Sequence, residues 1–472
     1  MSKRIIFSML VVLFMAFAAI GPVQAQSTEP IEPLTPRPAA EAPTDLTKAN
    51  TGIWFVELTG APTVEGASIS SVNAEHYAFR VNASKAGIVY TERFSYTDLF
   101  NGFSIKVDTK DIGKVARLAG VKNVYPVSIV AMPEMTPSEL NPELFSSLNM
   151  IGAAAAQSEL GYTGKGIKVA VMDTGIDVNH PAFGGDGTNE ENSDFFYDSP
   201  RIKFGFDFVG DDYDADTTSP TYNPLPVPDD NPDDCAGHGT HVAGIIGAND
   251  EESGLKGVAP DVTFGAYRVF GCTGSTMDDV MIAAMEKAKA DGMQVLNMSI
   301  GDAFSWPQTP TGKAASNLVK SGMVVVASIG NSGENGLYSA GAPGLGKEVI
   351  GVASVDNANV FLPYFTVNDE AIGYITMEFS PAAPVSGSAE IVYVGRGCDA
   401  DTYLADPSGK VALIARGVCP FAEKAEKAID NGAIGVVIYN SVAGVFSGTL
   451  GAPLSDTTIP VVGISNADGL RI

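Results

Sequence analysis

The chain has 472 residues, 45% of them hydrophobic, which is enough for roughly two to four domains with ordinary buried cores. Its 55 Asp and Glu residues outnumber its 29 Lys and Arg residues, and the formal net charge is -26. Nucleic acids and anionic membranes attract basic surfaces, so this charge argues against electrostatic binding to either of them.

The N-terminus has the pattern of a secretory signal peptide over residues 1–25. Lys3 and Arg4 precede an apolar run at residues 5–20, and small residues at 23–25 suit a cleavage site. This run is shorter than the roughly 20 residues of a membrane span. We expect a secreted, extracellular protein with no membrane segment beyond this peptide, followed by a disordered Pro- and Glu-rich linker over residues 26–50.

Residues 51–130 predict a small α+β domain. The predicted elements are a strand at 52–60, a helix at 72–87, two strands within 93–107, a helix at 109–120 and a strand at 121–127. This order, β-α-β-β-α-β, is that of a ferredoxin-like domain. His76 lies on the first helix, where we expect it to be exposed or half-buried.

Residues 146–358 predict an α/β domain with a mainly parallel sheet, because short apolar strands alternate with helical stretches. The predicted strands are "IKVAVMD", "VTFGAYRV", "MQVLNMSIG", "MVVVASIG" and "EVIGVASV", and the helices are "HVAGIIGA", "STMDDVMIAAMEKAKADG" and "TGKAASNLVKSG". Ser275 and Asp278 have the spacing of a helix-start signal. Residues 189–234 break the alternation and are expected to form a loop.

Residues 360–472 predict a second, β-rich module. "AEIVYVG", "KVALIARG", "GVVIYN" and "IPVVGIS" are typical of strands, and "FAEKAEKAIDNG" is typical of a helix with a glycine stop.

Four cysteines in an exported protein favour disulfides over free thiols. Of the three possible pairings, we favour Cys235 with Cys272 and Cys398 with Cys419, because each pair falls inside one predicted domain. A zinc site that uses Cys235, His238 and His241 is the alternative. The spacing of the cysteines does not fit a zinc knuckle, so we give this alternative less weight.

The segment "GDDYDAD" is a candidate calcium site. Asp211, Asp212, Asp214 and Asp216 are crowded together, and calcium prefers oxygen ligands. A solvated acidic loop is the competing and favoured interpretation.

Four features of the α/β domain carry groups that can do chemistry. Asp173 ends an apolar strand, where a buried carboxylate needs a partner. His238, at a predicted helix start, can act as a general base near neutral pH. "NMSIGD" leaves backbone groups open at a strand end, and Asn331 lies on a glycine-rich turn from which its amide can stabilise an oxyanion.

"KVAVMDTGIDVNHPAF", "GHGTHVAGIIGA", "VLNMSIG" and "ASIGNSGENG" resemble the motifs of the subtilisin-like serine proteases, or subtilases. Residues 51–130 resemble the subtilase propeptide, and residues 360–472 resemble the protease-associated (PA) domain inserted in larger secreted subtilases. The resemblance implies an incomplete doubly wound, mainly parallel sheet, preceded by a ferredoxin-like propeptide and interrupted by a PA domain.

The resemblance also implies roles for single residues. Asp173 orients the imidazole, His238 is the base and Asn331 donates to the oxyanion. Further implied positions are Ser299 and Gly301, which offer backbone to an extended substrate, and Ala327, Ser328 and Gly330, which line the pocket before the cut. His180 and His241 have no catalytic role. Implied partners are protein or peptide substrates and the chain's own propeptide as inhibitor; the chemistry needs no cofactor, although subtilases can hold structural calcium.

The nucleophile of the family lies in a Gly-Thr-Ser-Met-Ala motif, which these 472 residues do not contain. Ser275 precedes Asn331 and Ser332 adjoins it, so neither stands where the family has its nucleophile. We expect a truncated chain that has almost no proteolytic activity by itself. The alternatives are a non-catalytic pseudoprotease or secreted peptide-binding protein, and a zinc hydrolase that uses the two histidines.

Overall fold

The computed structural model describes residues 51–133, 144–188, 199–355, 357, 362–451, 453–456 and 458–472. The predicted signal peptide and linker lie outside these residues.

Residues 53–126 form a four-stranded antiparallel sheet with two helices. The elements are β1 (Ile53–Leu58), α1 (Ile69–Lys85), β2 (Tyr90–Tyr96), β3 (Gly102–Val107), α2 (Ile112–Val115) and β4 (Val121–Pro126), with strand order β2-β3-β1-β4. The predicted order of elements is confirmed, although α2 is a single turn. Because side chains alternate along β1, Val56 packs with Phe79 of α1 while Phe55 enters the core of the following domain.

His76 is a correction to the sequence-based expectation. Its side chain is buried, with Nδ1 3.1 Å from Ser95 Oγ and Nε2 3.1 Å from Asn101 Oδ1. Burial lowers the pKa of His76, so the neutral ring is favoured. The helical pattern did not predict the burial of His76, because the polar partners of its ring come from the distant β2–β3 hairpin.

The second domain is built on a six-stranded parallel sheet. A short strand, β5 (Ile129–Ala131), connects the first sheet to this domain. The elements of the second domain are α3 (Leu144–Met150), α4 (Ala153–Leu160), β6 (Lys168–Asp173), β7 (Ile202–Asp207), α5 (His238–Gly247), β8 (Thr263–Arg268), β9 (Ser275–Met277), α6 (Asp278–Ala290), β10 (Val295–Met298), α7 (Pro310–Lys320), β11 (Val324–Ser328) and β12 (Ile350–Val352). The sheet order is β12-β11-β10-β6-β8-β7, with every neighbouring pair parallel. The predicted α/β fold is confirmed.

Two local predictions in this domain are wrong. Strand β7 lies inside the segment expected to be a loop, where Ile202, Phe204 and Phe206 alternate with other residues and pair the chain with β8. Ser275 does not begin a helix; it belongs to β9, and α6 starts at Asp278. The tertiary pairing of β9 with β5 takes the place of the local capping bond.

Residues 364–471 form a separate six-stranded sheet with two helices. The elements are β13 (Tyr364–Val367), β14 (Glu370–Thr376), β15 (Ile391–Gly395), β16 (Val411–Ala415), α8 (Phe421–Asp430), β17 (Gly435–Tyr439), β18 (Val461–Ile464) and α9 (Asn466–Arg471), in the order β13-β14-β18-β17-β16-β15. The four predicted strands and the helix are present, and β13 and β14 add an antiparallel hairpin. The Cys398–Cys419 disulfide lies in this unit.

Candidate active site

Asp173 is the last residue of β6, in the middle of the parallel sheet, and its side chain is completely buried. Oδ1 accepts a hydrogen bond from the Thr174 backbone N–H at 2.8 Å and lies 2.7 Å from His238 Nδ1. Burial raises the pKa of Asp173, and the hydrogen bond from His238 opposes that shift. The buried carboxylate of Asp173 therefore has a hydrogen-bonding partner, as expected for a carboxylate at the end of an apolar strand.

His238 is the first residue of α5, and a close approach of backbone to backbone holds it beside β6. Gly239 N–H donates to Thr174 Oγ1 at 2.8 Å. A Cβ atom at Gly239 would lie 2.1 Å from the Gly175 carbonyl oxygen, so only glycine fits there. The His238 side chain remains 17% exposed.

Asp234 fixes the turn that leads into α5, a role that the sequence motifs did not predict. Oδ1 accepts from the backbone N–H groups of Ala236 and Gly237 at 2.9 and 2.8 Å. Oδ2 accepts from the backbone and hydroxyl of Thr240 at 2.9 and 2.6 Å. An Asp four residues before a histidine that starts a helix is the signal that could have identified this capping residue.

The Cys235–Cys272 disulfide ties the loop before His238 to the segment before β9. The buried Arg268 guanidinium lies under it, donating to Cys235 Sγ at 3.0 Å and to the Asp233 carbonyl at 3.1 Å. The favoured cysteine pairing is confirmed. The zinc alternative is wrong, because Cys235 has no free thiolate and His238 Nδ1 is engaged by Asp173.

The residues predicted to contact substrate lie at or just beyond the carboxyl ends of β10 and β11, which are at the same edge of the sheet as Asp173. Ser299 is half-buried and its hydroxyl accepts from Asn297 Nδ2 at 3.0 Å. The next positions are held by a second chain segment, since Asp302 and Ala342 exchange backbone hydrogen bonds at 2.9 and 3.2 Å. A Cβ at Gly301 would lie 2.8 Å from the Ala342 carbonyl oxygen.

Ala327 is buried in β11, and Ser328, the last residue of this strand, is half-buried. Gly330 has a φ of 98°, which is the left-handed region that favours glycine. This turn leaves Asn331 exposed, three residues beyond the strand end. Asn331 therefore lies beyond the carboxyl end of β11, the end of the sheet at which Asp173 also lies.

The acidic segment does not gather its carboxylates at one point. Asp211 Oδ1 lies 2.7 Å from Arg268 Nη1, while Asp214 accepts from Thr221 Oγ1 at 2.9 Å and from Ser275 N–H at 3.0 Å. Asp216 accepts from Thr218. Within the described parts of the chain, no three of these carboxylates converge to a common point, so this arrangement does not fit a shared calcium ion.

The other two candidate histidines have structural surroundings. His180 Nδ1 accepts from the Ala182 N–H at 3.1 Å, which caps a short turn. His241 lies within α5, and its N–H donates to the Gly237 carbonyl at 3.0 Å.

The N-terminal sheet packs on helices α6 and α7. Glu286 of α6 accepts from the N–H groups of Asp98 and Leu99, both at 2.8 Å, and Asn317 of α7 donates to the Leu99 carbonyl at 2.9 Å. Strand β5 leaves this sheet and pairs antiparallel with β9, with Val130 opposite Thr276. An extended segment of the chain's own N-terminal part thus lies on the second domain.

A family model described as the Subtilase family matches residues 164–433, more than half of the chain. The chain belongs to the subtilase family. The matched region of this subtilase includes Asp173, His238 and Asn331, and it continues from the parallel sheet into the β-rich unit.

The relatives of this subtilase include several proteases. It is 36% identical over 404 residues to the minor extracellular protease Vpr of Bacillus subtilis, which covers 83% of this chain and 46% of the relative. It is 29% identical to a PII-type proteinase of Lacticaseibacillus paracasei, over 89% of this chain and 24% of the relative. A subtilisin of Bacillus pumilus is 34% identical over 45% of this chain and 64% of the relative.

The chain thus spans less than half the length of the first two relatives. None of the helices in the described ranges is long and apolar enough to cross a membrane.

Proposed function

We propose that the protein to which these residues belong is a secreted serine endopeptidase that hydrolyses peptide bonds with an Asp–His–Ser triad. The contact between His238 Nδ1 and Asp173 Oδ1 carries this proposal. A buried carboxylate that accepts from Nδ1 holds the other ring nitrogen, Nε2, free of its proton and able to accept one. Membership of the subtilase family and a relative named as an extracellular protease support the same reaction and the same location.

In this mechanism His238 takes the hydroxyl proton of a serine as that oxygen attacks the substrate carbonyl, and then gives the proton to the leaving amine. Asp173 stabilises the imidazolium that forms in between. Asn331 donates its amide hydrogen to the oxyanion. No cofactor takes part in these steps.

The serine is proposed to lie outside these 472 residues. They contain no Gly-Thr-Ser-Met-Ala motif, and they span only 46% of the Bacillus subtilis relative. A longer product of the same gene is therefore the protein to assay.

We further propose that residues 51–130 are a propeptide that inhibits the peptidase from within the same chain. Two observations support this role: Glu286 accepts hydrogen bonds from the loop of the N-terminal sheet, and β5 pairs with β9 as an extended substrate would. The region beyond 360 is proposed to be an inserted PA domain.

Cleavage of casein by the full-length secreted product, with and without His238→Ala, tests the central proposal. His180→Asn is the matched control, because an Asn at this capping position still accepts the Ala182 N–H. We expect cleavage by the wild type and the control, and its loss in His238→Ala. A stable secreted product that binds peptides without cutting them would support the non-catalytic alternative instead.

A further inference from the structure

The chain ahead of β5 shows how an extended polypeptide runs past the start of α6. Val130 of β5 is 1% exposed and packs into the main core cluster of the second domain. Two residues earlier, Ser128 N–H donates to Asp278 Oδ1 at 3.0 Å, and Asp278 N–H donates to the Ser128 carbonyl at 3.1 Å.

Beside Ser128 there is an open cleft of about 370 Å³ that the small serine side chain does not fill. Asp278 and Asp302 lie on its wall, together with Ser305 and Trp306. The indole of Trp306 is 66% exposed. A planar aromatic face next to two carboxylates is the setting in which guanidinium groups bind well.

Among the residues that the structure describes, neither carboxylate is paired with a cation. Asp278 is 6% exposed, and across the described ranges no Lys or Arg nitrogen lies within 4.0 Å of Asp278 or Asp302. The neighbouring Asp279 differs, since Arg93 Nε lies 2.8 Å from its Oδ2. Burial raises the pKa of both Asp278 and Asp302, so each carboxylate would be stabilised in its charged form by an arriving positive charge.

We propose that Asp278, Asp302 and Trp306 form a subsite that selects an arginine side chain of the substrate, an inference that rests on the proposed peptidase function. The selected arginine occupies the position that Ser128 takes in the chain's own N-terminal part. The backbone contacts of Ser128 to Asp278 place the Cα of such a residue at the cleft. Arginine fits better than lysine, because its planar fork can contact both carboxylates and stack on the indole.

The test uses the full-length secreted product and synthetic peptides. Cleavage sites are first mapped by mass spectrometry on a peptide library. The substrate position with the strongest preference for an aliphatic residue is taken as the one that binds where Val130 lies in the structure. Two peptides then differ only two residues N-terminal to that position, with Arg or Ser. The measured quantity is the ratio of kcat/KM for the Arg peptide to that for the Ser peptide, which does not depend on how much enzyme is folded.

We expect this ratio to be on the order of 10 in the wild type and close to 1 in Asp302→Asn. Asp430→Asn, which removes an exposed charge at the end of α8, should keep the wild-type ratio. Trp306→Ala gives a second test if Asp278→Asn or Asp302→Asn fails to fold, and it should also lower the ratio. A wild-type ratio near 1, or a ratio that Asp302→Asn leaves unchanged, overturns the proposed subsite alone. If no peptide is cleaved at all, the proposed peptidase function is overturned and the subsite with it.

Discussion

His238 Nδ1 lies 2.7 Å from Asp173 Oδ1, and this single contact joins the first residue of helix α5 to the last residue of strand β6. Gly239 makes this contact possible, because the absence of a side chain there lets the first turn of α5 pack closely against the Gly175 carbonyl. The backbone therefore positions His238 beside Asp173 as much as the two side chains do.

Asp173→Asn should lower the turnover of the full-length enzyme by about 10⁴-fold, the size of the effect of the same change in a Ser–His–Asp triad. The amide cannot hold the imidazole in the required tautomer or stabilise its charged form. Stability at pH 7 should not fall, because burial of a neutral amide avoids the desolvation of a charge that raises the pKa of Asp173. Steady-state kinetics and urea unfolding measure the two effects, and a loss of turnover below tenfold would contradict the role.

Gly239→Ala should lower the free energy of unfolding by about 1–3 kcal/mol, because the new methyl group would overlap the Gly175 carbonyl oxygen. Gly244→Ala is the matched control in the same helix. A Cβ there meets nothing within 4 Å, so this change should be neutral or stabilising by up to about 1 kcal/mol. Equal effects of the two variants on urea unfolding would rule out the close approach.

Asp234→Ala should lower both stability and turnover, because it removes the acceptor of four hydrogen bonds at the entrance to α5. We expect a loss of about 1–2 kcal/mol, typical of a strong helix cap, and a clear fall in kcat from poorer placement of His238. Asp230→Ala removes an exposed carboxylate four residues earlier and should change the free energy of unfolding by less than about 0.5 kcal/mol. If the two variants behave alike in unfolding and kinetics, Asp234 does not position the helix.

Glu57 links the N-terminal sheet to Lys313 of α7, and we expect this link to weaken in acid. Burial alone would raise the pKa of Glu57, but hydrogen bonds from Lys122, Tyr125 and Lys313 lower it from 4.5 to about 2. A carboxyl with a lowered folded-state pKa stabilises the protein above pH 4.5, and this stabilisation is lost as the pH falls towards 2.

The difference in unfolding free energy between wild type and Glu57→Gln should therefore be about 3 kcal/mol near pH 6 and should shrink steadily between pH 4.5 and pH 2. Urea titrations at several pH values measure it. A difference that stays constant with pH would show that the charge of Glu57 contributes nothing.

The sequence predicted the elements whose pattern is local and missed the contacts made at long range. The alternation of apolar strands and helices predicted the parallel sheet, and Asp173 and His238 were identified from their positions at element ends. Strand β7 was missed because Ile202, Phe204 and Phe206 form a strand only by pairing with β8.

Long-range pairing also explains the other differences. Ser275 was assigned to a helix start, but β5 pairs with it from more than a hundred residues away. His76 was placed near the surface, although its partners Ser95 and Asn101 come from another part of the chain. No sequence pattern within one element can report such partners.

The most direct test of the account is labelling of the full-length secreted product with a fluorophosphonate, which reacts with the activated serine of serine hydrolases. We expect stoichiometric labelling of one serine located outside these 472 residues, lost in His238→Ala and kept in His180→Asn. Labelling that persists in His238→Ala, or a folded wild-type protein that takes up no label, would contradict it.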